Sequence, residues 1–235
     1  MTTPRVLRHL SRTCLLGALV LVGHAAWLPA KAALAQVLLE RAWQHALDEG
    51  GRHPPWPWAD VAPVARVEVP RLGVARIVLS GDSGRSLAFA PGWSESTVRP
   101  GDPGVSVVSA HRDTHFRFLR ELVVGDALVV ETPRGIRHYR VDALRVADSR
   151  HEAIVVDADA DRLLLVTCYP FDALDARGPL RYVVETRPRD DVGSTQGFGG
   201  ASSRGAGASA RGVWPPPSHA RVGRGGRGAL AFQAM

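Results

Sequence analysis

Between residues 64 and 188, short runs of β-forming residues recur, and Gly, Pro or Asp bounds each of them. Several such runs in succession, separated by turn signals, indicate a small all-β barrel or sandwich. The predicted strands are 64–69, 74–79, 105–109, 127–131, 137–147, 163–167 and 182–186. Because a segment of this length has room for one hydrophobic core, we predict a single mainly β domain over residues 64–188.

Turn chemistry and local pattern add detail to this domain. Gly125-Asp126 leads into strand 127–131, and Pro133-Arg134-Gly135 joins that strand to 137–147, so the pair is predicted to form a hairpin. Short helical insertions are predicted at 83–89 and 115–122.

The N-terminus has the pattern of a membrane anchor. Residues 13–30 carry no formal charge, are rich in Leu, Val and Ala, and follow three arginines. About 20 apolar residues cross a bilayer, and a basic flank places the N-terminus in the cytoplasm. We predict a cytoplasmic segment 1–12, a single transmembrane signal anchor 13–31 and an extracytoplasmic remainder at the inner membrane. A cleaved signal peptide, with Ala30-Lys31-Ala32 as its cleavage site, is the alternative.

Residues 32–63 are predicted to connect the anchor to the β domain. Apolar residues near a 3.6-residue spacing indicate a helical stalk over 32–49. Four prolines over 53–63 exclude a regular helix or a central strand there. Trp56 and Trp58 are expected to hold this linker to the folded domain or to lie at the membrane interface.

Charge is concentrated at the two ends of the chain. The 235 residues carry a net charge of +6, but residues 40–189 hold 20 basic and 21 acidic side chains. A nucleic-acid-binding domain would carry basic charge on its folded part, so we predict no nucleic-acid partner. The tail 189–235 is rich in Gly, Arg and Ser and is predicted to be disordered. The two cysteines, Cys14 and Cys168, exclude a disulfide-rich scaffold.

Three residue types that support acyl transfer stand at predicted strand ends. Cys168 ends strand 163–167, His111 follows strand 105–109, and Arg181 precedes strand 182–186. Two adjacent strands joined by the loop between Cys168 and Arg181 would place both residues at one edge of a barrel. A thiolate, a proton-transferring histidine and a guanidinium for the developing oxyanion suit attack on a carbonyl.

The motifs around these residues resemble those of the sortases, the membrane-anchored cysteine transpeptidases of bacterial envelopes. The Thr and Cys of LVTC match the family's cysteine signature, although Leu164 stands where Thr is common. SAHRD is similar to its histidine segment, RYVV to its arginine strand, and Leu122–Val129 to its LxxGDxLxV pattern. PWPWAD and TCYPFDA further resemble a proteobacterial subgroup often paired with one dedicated substrate.

The resemblance implies an eight-stranded β-barrel with short helices, preceded by the membrane anchor. It implies Cys168 as nucleophile, His111 as acid/base and Arg181 as the residue that stabilises the oxyanion or orients substrate. The implied partners are a secreted protein with a C-terminal LPxTG-like sorting signal and an amine acceptor of the envelope. The acyl group would pass through a thioester without a cofactor.

Alternatives remain for several neighbouring residues. Arg177 lies closer to Cys168 in sequence, but within a predicted loop, so Arg181 is preferred. His111 and His115 form an H-x-x-x-H pair, yet no further ligand is evident, and no metal site is predicted. Asp113 could orient His111 or remain a solvated carboxylate, and Thr167 could bind the substrate backbone or merely fill a strand position.

Two other functions are compatible with the same residues. One is a cysteine endopeptidase of the envelope that only hydrolyses its substrate. The other is a membrane-tethered β-barrel binding module in which Cys168 is structural. The enzyme is favoured because a binding module does not require three reactive residue types at strand ends.

Overall fold

The computed structural model describes residues 3–152, 154–156, 160–173, 178–189 and 228–230. Two α-helices, α1 (Thr3–Glu49) and α2 (Gly84–Leu87), are accompanied by 3-10 helices at Pro70–Leu72 and Arg117–Glu121. The strands are β1 (Pro63–Val69), β2 (Val74–Ser80), β3 (Gly92–Trp93), β4 (Val105–Ser109), β5 (Ala127–Thr132), β6 (Gly135–Asp148), β7 (Ile154–Val156), β8 (Arg162–Cys168), β9 (Leu180–Pro188) and β10 (Gly228–Leu230).

Eight of these strands close into a barrel in the order β1-β2-β3-β4-β8-β9-β6-β5. This architecture confirms the predicted eight-stranded β-barrel with short helices. Both helical insertions are shorter than predicted, and the hairpin of β5 and β6 forms as expected, with Thr132 opposite Gly135. The barrel strand that sequence reasoning missed is β3, whose two residues are too few to give a periodic pattern.

Side chains alternate between the interior and the outer face of the barrel, and both faces carry apolar clusters. The larger core fills the barrel and contains Leu163 and Leu165 of β8 together with Val184 of β9. A second cluster covers the outer face of β4, β6, β8 and β9 and contains Leu164, Val166 and Val183, among others. Because side chains alternate along a strand, Cys168 shares the outer face with Val166, and Arg181 shares it with Val183.

Helix α1 is a single helix that continues from the apolar N-terminal segment to the barrel. Within Ser11–Glu49 it is long and apolar enough to cross a membrane, by length and composition. Its C-terminal half packs on the barrel, where Leu39 joins a small core with Val61, Leu79 and Ala90. Trp43 is fully buried. The predicted anchor and stalk are therefore parts of one helix.

The linker between α1 and β1 is irregular, as its prolines predict. Trp56 packs edge-on against Phe89 with 5.2 Å between ring centroids. Trp58, in contrast, is 83% exposed. Only one of the two tryptophans therefore holds the linker to the barrel.

The predicted disordered tail 189–235 falls mostly outside the described residues. Within it, β10 pairs antiparallel with β7 in a separate two-stranded sheet, with Ala229 opposite Val155. Those three residues are strand where disorder was predicted. The pairing uses backbone hydrogen bonds, which a Gly-rich sequence provides as well as any other.

Candidate active site

Strand β8 carries Cys168 to the edge of the barrel. Its apolar residues are buried on both faces, and the strand lies between two neighbours, β4 and β9. Cys168 is the last residue of the strand and is 5% exposed. The free thiol thus lies just beneath the surface, on the outer face of the barrel.

Arg181 lies directly opposite Cys168 in the antiparallel pair of β8 and β9. Its Nη1 donates hydrogen bonds to the carbonyl oxygens of Gly178 at 2.7 Å and Leu180 at 3.0 Å. The side chain is buried, and its Nε has no hydrogen-bond partner among the described residues. The loop carbonyls therefore hold Nη1 of the guanidinium. The N–H of Nε donates no hydrogen bond to the described part of the chain.

His111 reaches the same edge from a different strand. Strands β4 and β8 are parallel, with Ser109 opposite Val166, and the N–H of Ala110 still donates to the carbonyl of Val166 at 3.2 Å. Continuation of this register by two residues brings His111 level with Cys168. His111 is half-buried, so a substrate has access to its ring.

Thr167 faces the barrel interior rather than the outer face. Its side chain is fully buried, and its hydroxyl donates a 2.7 Å hydrogen bond to the carbonyl of Ala110. This hydrogen bond joins the two strands that lead to Cys168 and His111, and substrate binding by Thr167 stays a prediction.

Arg112 also joins the two loops of the site, and sequence reasoning gave it no role. Its side chain is buried, and Nη2 donates a 2.6 Å hydrogen bond to the carbonyl of Ala173 in the loop after Cys168. The sequence signal that could have indicated a role for Arg112 is its place immediately after His111 in SAHRD. A buried arginine at that position must find hydrogen-bond partners for its donors. Arg112 thus fixes the loop after β4 against the loop after β8.

Three aromatic rings, those of Tyr169, Phe171 and Tyr182, cluster near the end of β8. Phe171 and Tyr182 meet edge-on at 5.2 Å, and the Tyr169 and Tyr182 rings stack at 6.1 Å. Burial raises the pKa of Tyr182, which keeps its phenol neutral. The alternative arginine, Arg177, lies outside the described residues.

The remaining candidates flank His111. Burial, followed by the nearby positive charge of Arg76, lowers the pKa of His115, so this imidazole is neutral at pH 7. Asp113 is exposed. Among the residues that the structure describes, no group of three or more His, Cys, Asp or Glu side chains is placed to hold a metal ion.

Chemically, the edge brings together a thiol, an imidazole and a guanidinium. Each of them leaves a different strand, and the three strands β4, β8 and β9 are consecutive in the barrel. A carbonyl placed over Cys168 would lie beside a proton-transferring ring and an oriented guanidinium. This arrangement suits nucleophilic acyl substitution.

Comparison with known proteins agrees with this reading of the fold. Residues 67–189, more than half of the chain, match the family described as Sortase domain. Sortase D of Bacillus subtilis (strain 168) is 29% identical over 119 residues, which are 50% of this chain and 60% of that protein. The aligned part thus spans less than two thirds of the relative's length.

Two solved structures share the fold at low identity. The Sortase D5 transpeptidase of Clostridium perfringens superposes with a TM-score of 0.54 and 20% identity, covering 67% of this chain and 99% of that one. Sortase A from Corynebacterium diphtheriae gives a TM-score of 0.50 and 19% identity, covering 67% and 85%. At these identities the likeness concerns the fold.

Proposed function

This chain belongs to the sortase family, and from that premise we propose that it is a membrane-anchored cysteine transpeptidase of the cell envelope. The observation that carries the proposal is the register of the barrel edge, in which Cys168 is paired with Arg181 and His111 follows on the parallel neighbour.

Cys168, His111 and Arg181 act in both halves of the reaction. The Cys168 thiolate attacks the scissile carbonyl, and the unpaired face of the Arg181 guanidinium stabilises the oxyanion. The C–N bond breaks as His111 gives a proton to the leaving amine, which leaves a thioester on Sγ. An incoming amine then attacks the thioester carbon and loses a proton to His111 as the C–Sγ bond breaks, and the thiolate is restored. The energy of the peptide bond is retained in the thioester, so the cycle requires no cofactor.

The proposed substrate is a secreted protein with a C-terminal LPxTG-like sorting signal, an apolar segment and a basic tail. Cleavage follows the Thr-like position, and the acceptor is an amine of the envelope. The resemblance of PWPWAD and TCYPFDA to the proteobacterial subgroup leads us to expect one dedicated substrate protein.

The proposed location is the inner membrane. Among the described residues one helix, α1, has a span that is apolar enough to cross the bilayer, and three arginines precede that span. By the positive-inside rule the N-terminus is cytoplasmic and the barrel is periplasmic or otherwise extracytoplasmic. Because α1 continues into its barrel-packed half, the anchor holds the barrel close to the membrane.

Trapping of the thioester tests the proposal. The full chain in detergent micelles is incubated with a sorting-signal peptide, with and without a small primary amine, and the products are analysed by mass spectrometry. We expect an acyl adduct on Cys168 and an amine-ligated peptide, and neither product from Cys168→Ala. Peptide mapping separates Cys168 from Cys14, the other free thiol.

The two competing functions give different results in the same experiment. Identical behaviour of the wild type and Cys168→Ala would leave only a binding module. Hydrolysed peptide as the sole product across a range of amines would indicate an endopeptidase.

A further inference from the structure

A cavity of about 290 Å³ lies where α1 packs against the barrel, and Cys168 is not among the residues that line it. Its polar lining comes from three directions: Gln36 and Glu40 on α1, Arg66 and Arg76 on β1 and β2, and His115 after β4. Sites for drug-sized ligands measure about 300–1,000 Å³, so this cavity suits a group of amino-acid size.

The charge of the cavity is positive. Arg66 pairs with Glu40, which cancels one charge of each sign. Arg76 donates to the carbonyl of its neighbour Ala75 at 2.8 Å and forms no ion pair with any described residue. The Nε of Arg66 is buried and likewise has no partner within the described part of the chain. The cavity thus offers one uncompensated guanidinium, that of Arg76.

The cavity is next to the acid/base of the proposed reaction. His115 follows His111 by four residues, and the N–H of Phe116 closes the intervening turn on the carbonyl of His111 at 3.0 Å. A ligand held by Arg76 therefore lies at His115, four residues along the chain from the histidine that must accept a proton from the incoming amine.

We propose that this cavity binds a carboxylate of the acceptor, and that the preferred acceptor is an amine on an amino acid or short peptide with a free carboxylate. This inference rests on the proposed function. Guanidinium groups bind carboxylates through paired, charge-assisted hydrogen bonds, which fix both position and orientation. With the carboxylate on Arg76, the amine is directed past His115 to His111, where it loses its proton as its nitrogen bonds to the thioester carbon and the C–Sγ bond breaks.

A matched pair of acceptors tests the preference. The full chain in micelles receives donor peptide and either Nα-acetyllysine, which has an amine and a carboxylate, or its C-terminal amide, which has only the amine. We expect the wild type to use the acid about tenfold more efficiently at subsaturating acceptor, which is the scale of one charged hydrogen bond. Arg76→Gln should reduce that ratio to near one.

Arg140→Gln serves as the control, because Arg140 is an exposed arginine on β6, away from the cavity. It removes the same charge from the protein and should keep the tenfold ratio. Each ratio is taken within one variant, so a change in the first half-reaction does not alter it. Equal use of acid and amide by the wild type, or an unchanged ratio in Arg76→Gln, overturns the inference.

Binding without chemistry separates this inference from the proposed function. Calorimetry measures the affinity of Cys168→Ala, with and without Arg76→Gln, for Nα-acetyllysine and its amide in the absence of donor. Tighter binding of the acid that depends on Arg76 supports the cavity even if no thioester forms. Equal affinity for acid and amide overturns it even if the enzyme is a transpeptidase.

Discussion

Cys168 and Arg181 occupy opposite positions of the β8–β9 ladder, so their side chains leave the same face of the barrel at the same edge. The loop carbonyls of Gly178 and Leu180 hold one nitrogen of the guanidinium. The pair is thus positioned by backbone register and by a short loop, and does not depend on a direct contact between the two side chains.

Replacement of Arg181 should affect turnover more than folding. Arg181→Ala is expected to lower kcat by about 100- to 1,000-fold, the usual effect of removing one oxyanion donor. Arg181→Lys should restore little, because an ammonium group cannot hold the loop carbonyls and also present a fixed donor. Arg187→Gln, on the same strand with a largely exposed side chain, should retain normal turnover. Wild-type kcat in Arg181→Ala, measured with the donor peptide, would contradict the assigned role.

Thr167 is expected to act as a positioning residue through its hydrogen bond to Ala110. Thr167→Val keeps the shape of the side chain, leaves the Ala110 carbonyl without this donor, and should lower the free energy of unfolding by about 1–3 kcal/mol. It should also reduce kcat, because the strands that carry Cys168 and His111 lose a link. Thr167→Ser, which restores the hydroxyl, should recover kcat.

The barrel offers a matched control for this substitution. Thr186 is also fully buried, and its hydroxyl donates to the carbonyl of Leu163 at 2.9 Å, at the end of the β8–β9 pair away from Cys168. Thr186→Val should therefore cost similar stability and leave kcat unchanged. Equal loss of kcat in the two valine variants would assign Thr167 a merely structural role.

Local sequence was sufficient to predict the strand ends that carry the site. Cys168 is stopped by Pro170, Arg181 opens a β-rich run, and both signals lie within a few residues of the side chain. The hydrogen bond from Thr167 to Ala110 was not predictable in this way. It joins residues 57 positions apart and depends on the parallel pairing of β4 with β8.

The difference between local and long-range signals also explains why the cavity and the full length of α1 were not predicted. No local pattern places Arg76 and His115 in one cavity, because that cavity is formed by the barrel together with the packed helix. The continuity of α1 through Pro29 was also not evident, since the apolar segment and the stalk have different compositions. Packing of the stalk on the barrel provides the stability that helix propensity alone does not.

Trp43 should be essential to the attachment of α1. Because its side chain is fully buried, Trp43→Ala is expected to lower the free energy of unfolding of the barrel by about 3–5 kcal/mol. Trp58→Ala, in the exposed part of the linker, should change it by less than about 0.5 kcal/mol. Thermal unfolding of both variants in the same detergent gives the comparison. Similar midpoints for Trp43→Ala and the wild type would mean that the barrel is stable without the packed helix.

The Gly125-Asp126 pair before β5 forms a turn that is held by hydrogen bonds to the Asp126 carboxylate. Gly125 has φ of +97°, a conformation that favours glycine, and its N–H donates to the carbonyl of Val141. Both Asp126 oxygens accept hydrogen bonds from Arg71, at 2.6 and 2.8 Å, and Oδ2 also accepts one from the N–H of Val123 at 2.9 Å. The turn and the 3-10 helix after β1 are thereby joined.

This arrangement predicts a dependence of stability on pH. The hydrogen bond from Arg71 lowers the pKa of Asp126 in the folded chain, so the unfolded chain binds the proton more readily. The stabilisation is therefore complete above the unfolded pKa of about 4 and is lost as the pH falls through the lower folded value. Asp126→Asn should cost about 2 kcal/mol at pH 7 and progressively less below pH ~4. Urea unfolding at pH 7 and at pH ~3 measures the difference, with the exposed Asp113→Asn as control. A cost of Asp126→Asn that stays constant across this range would show that the carboxylate charge does not contribute.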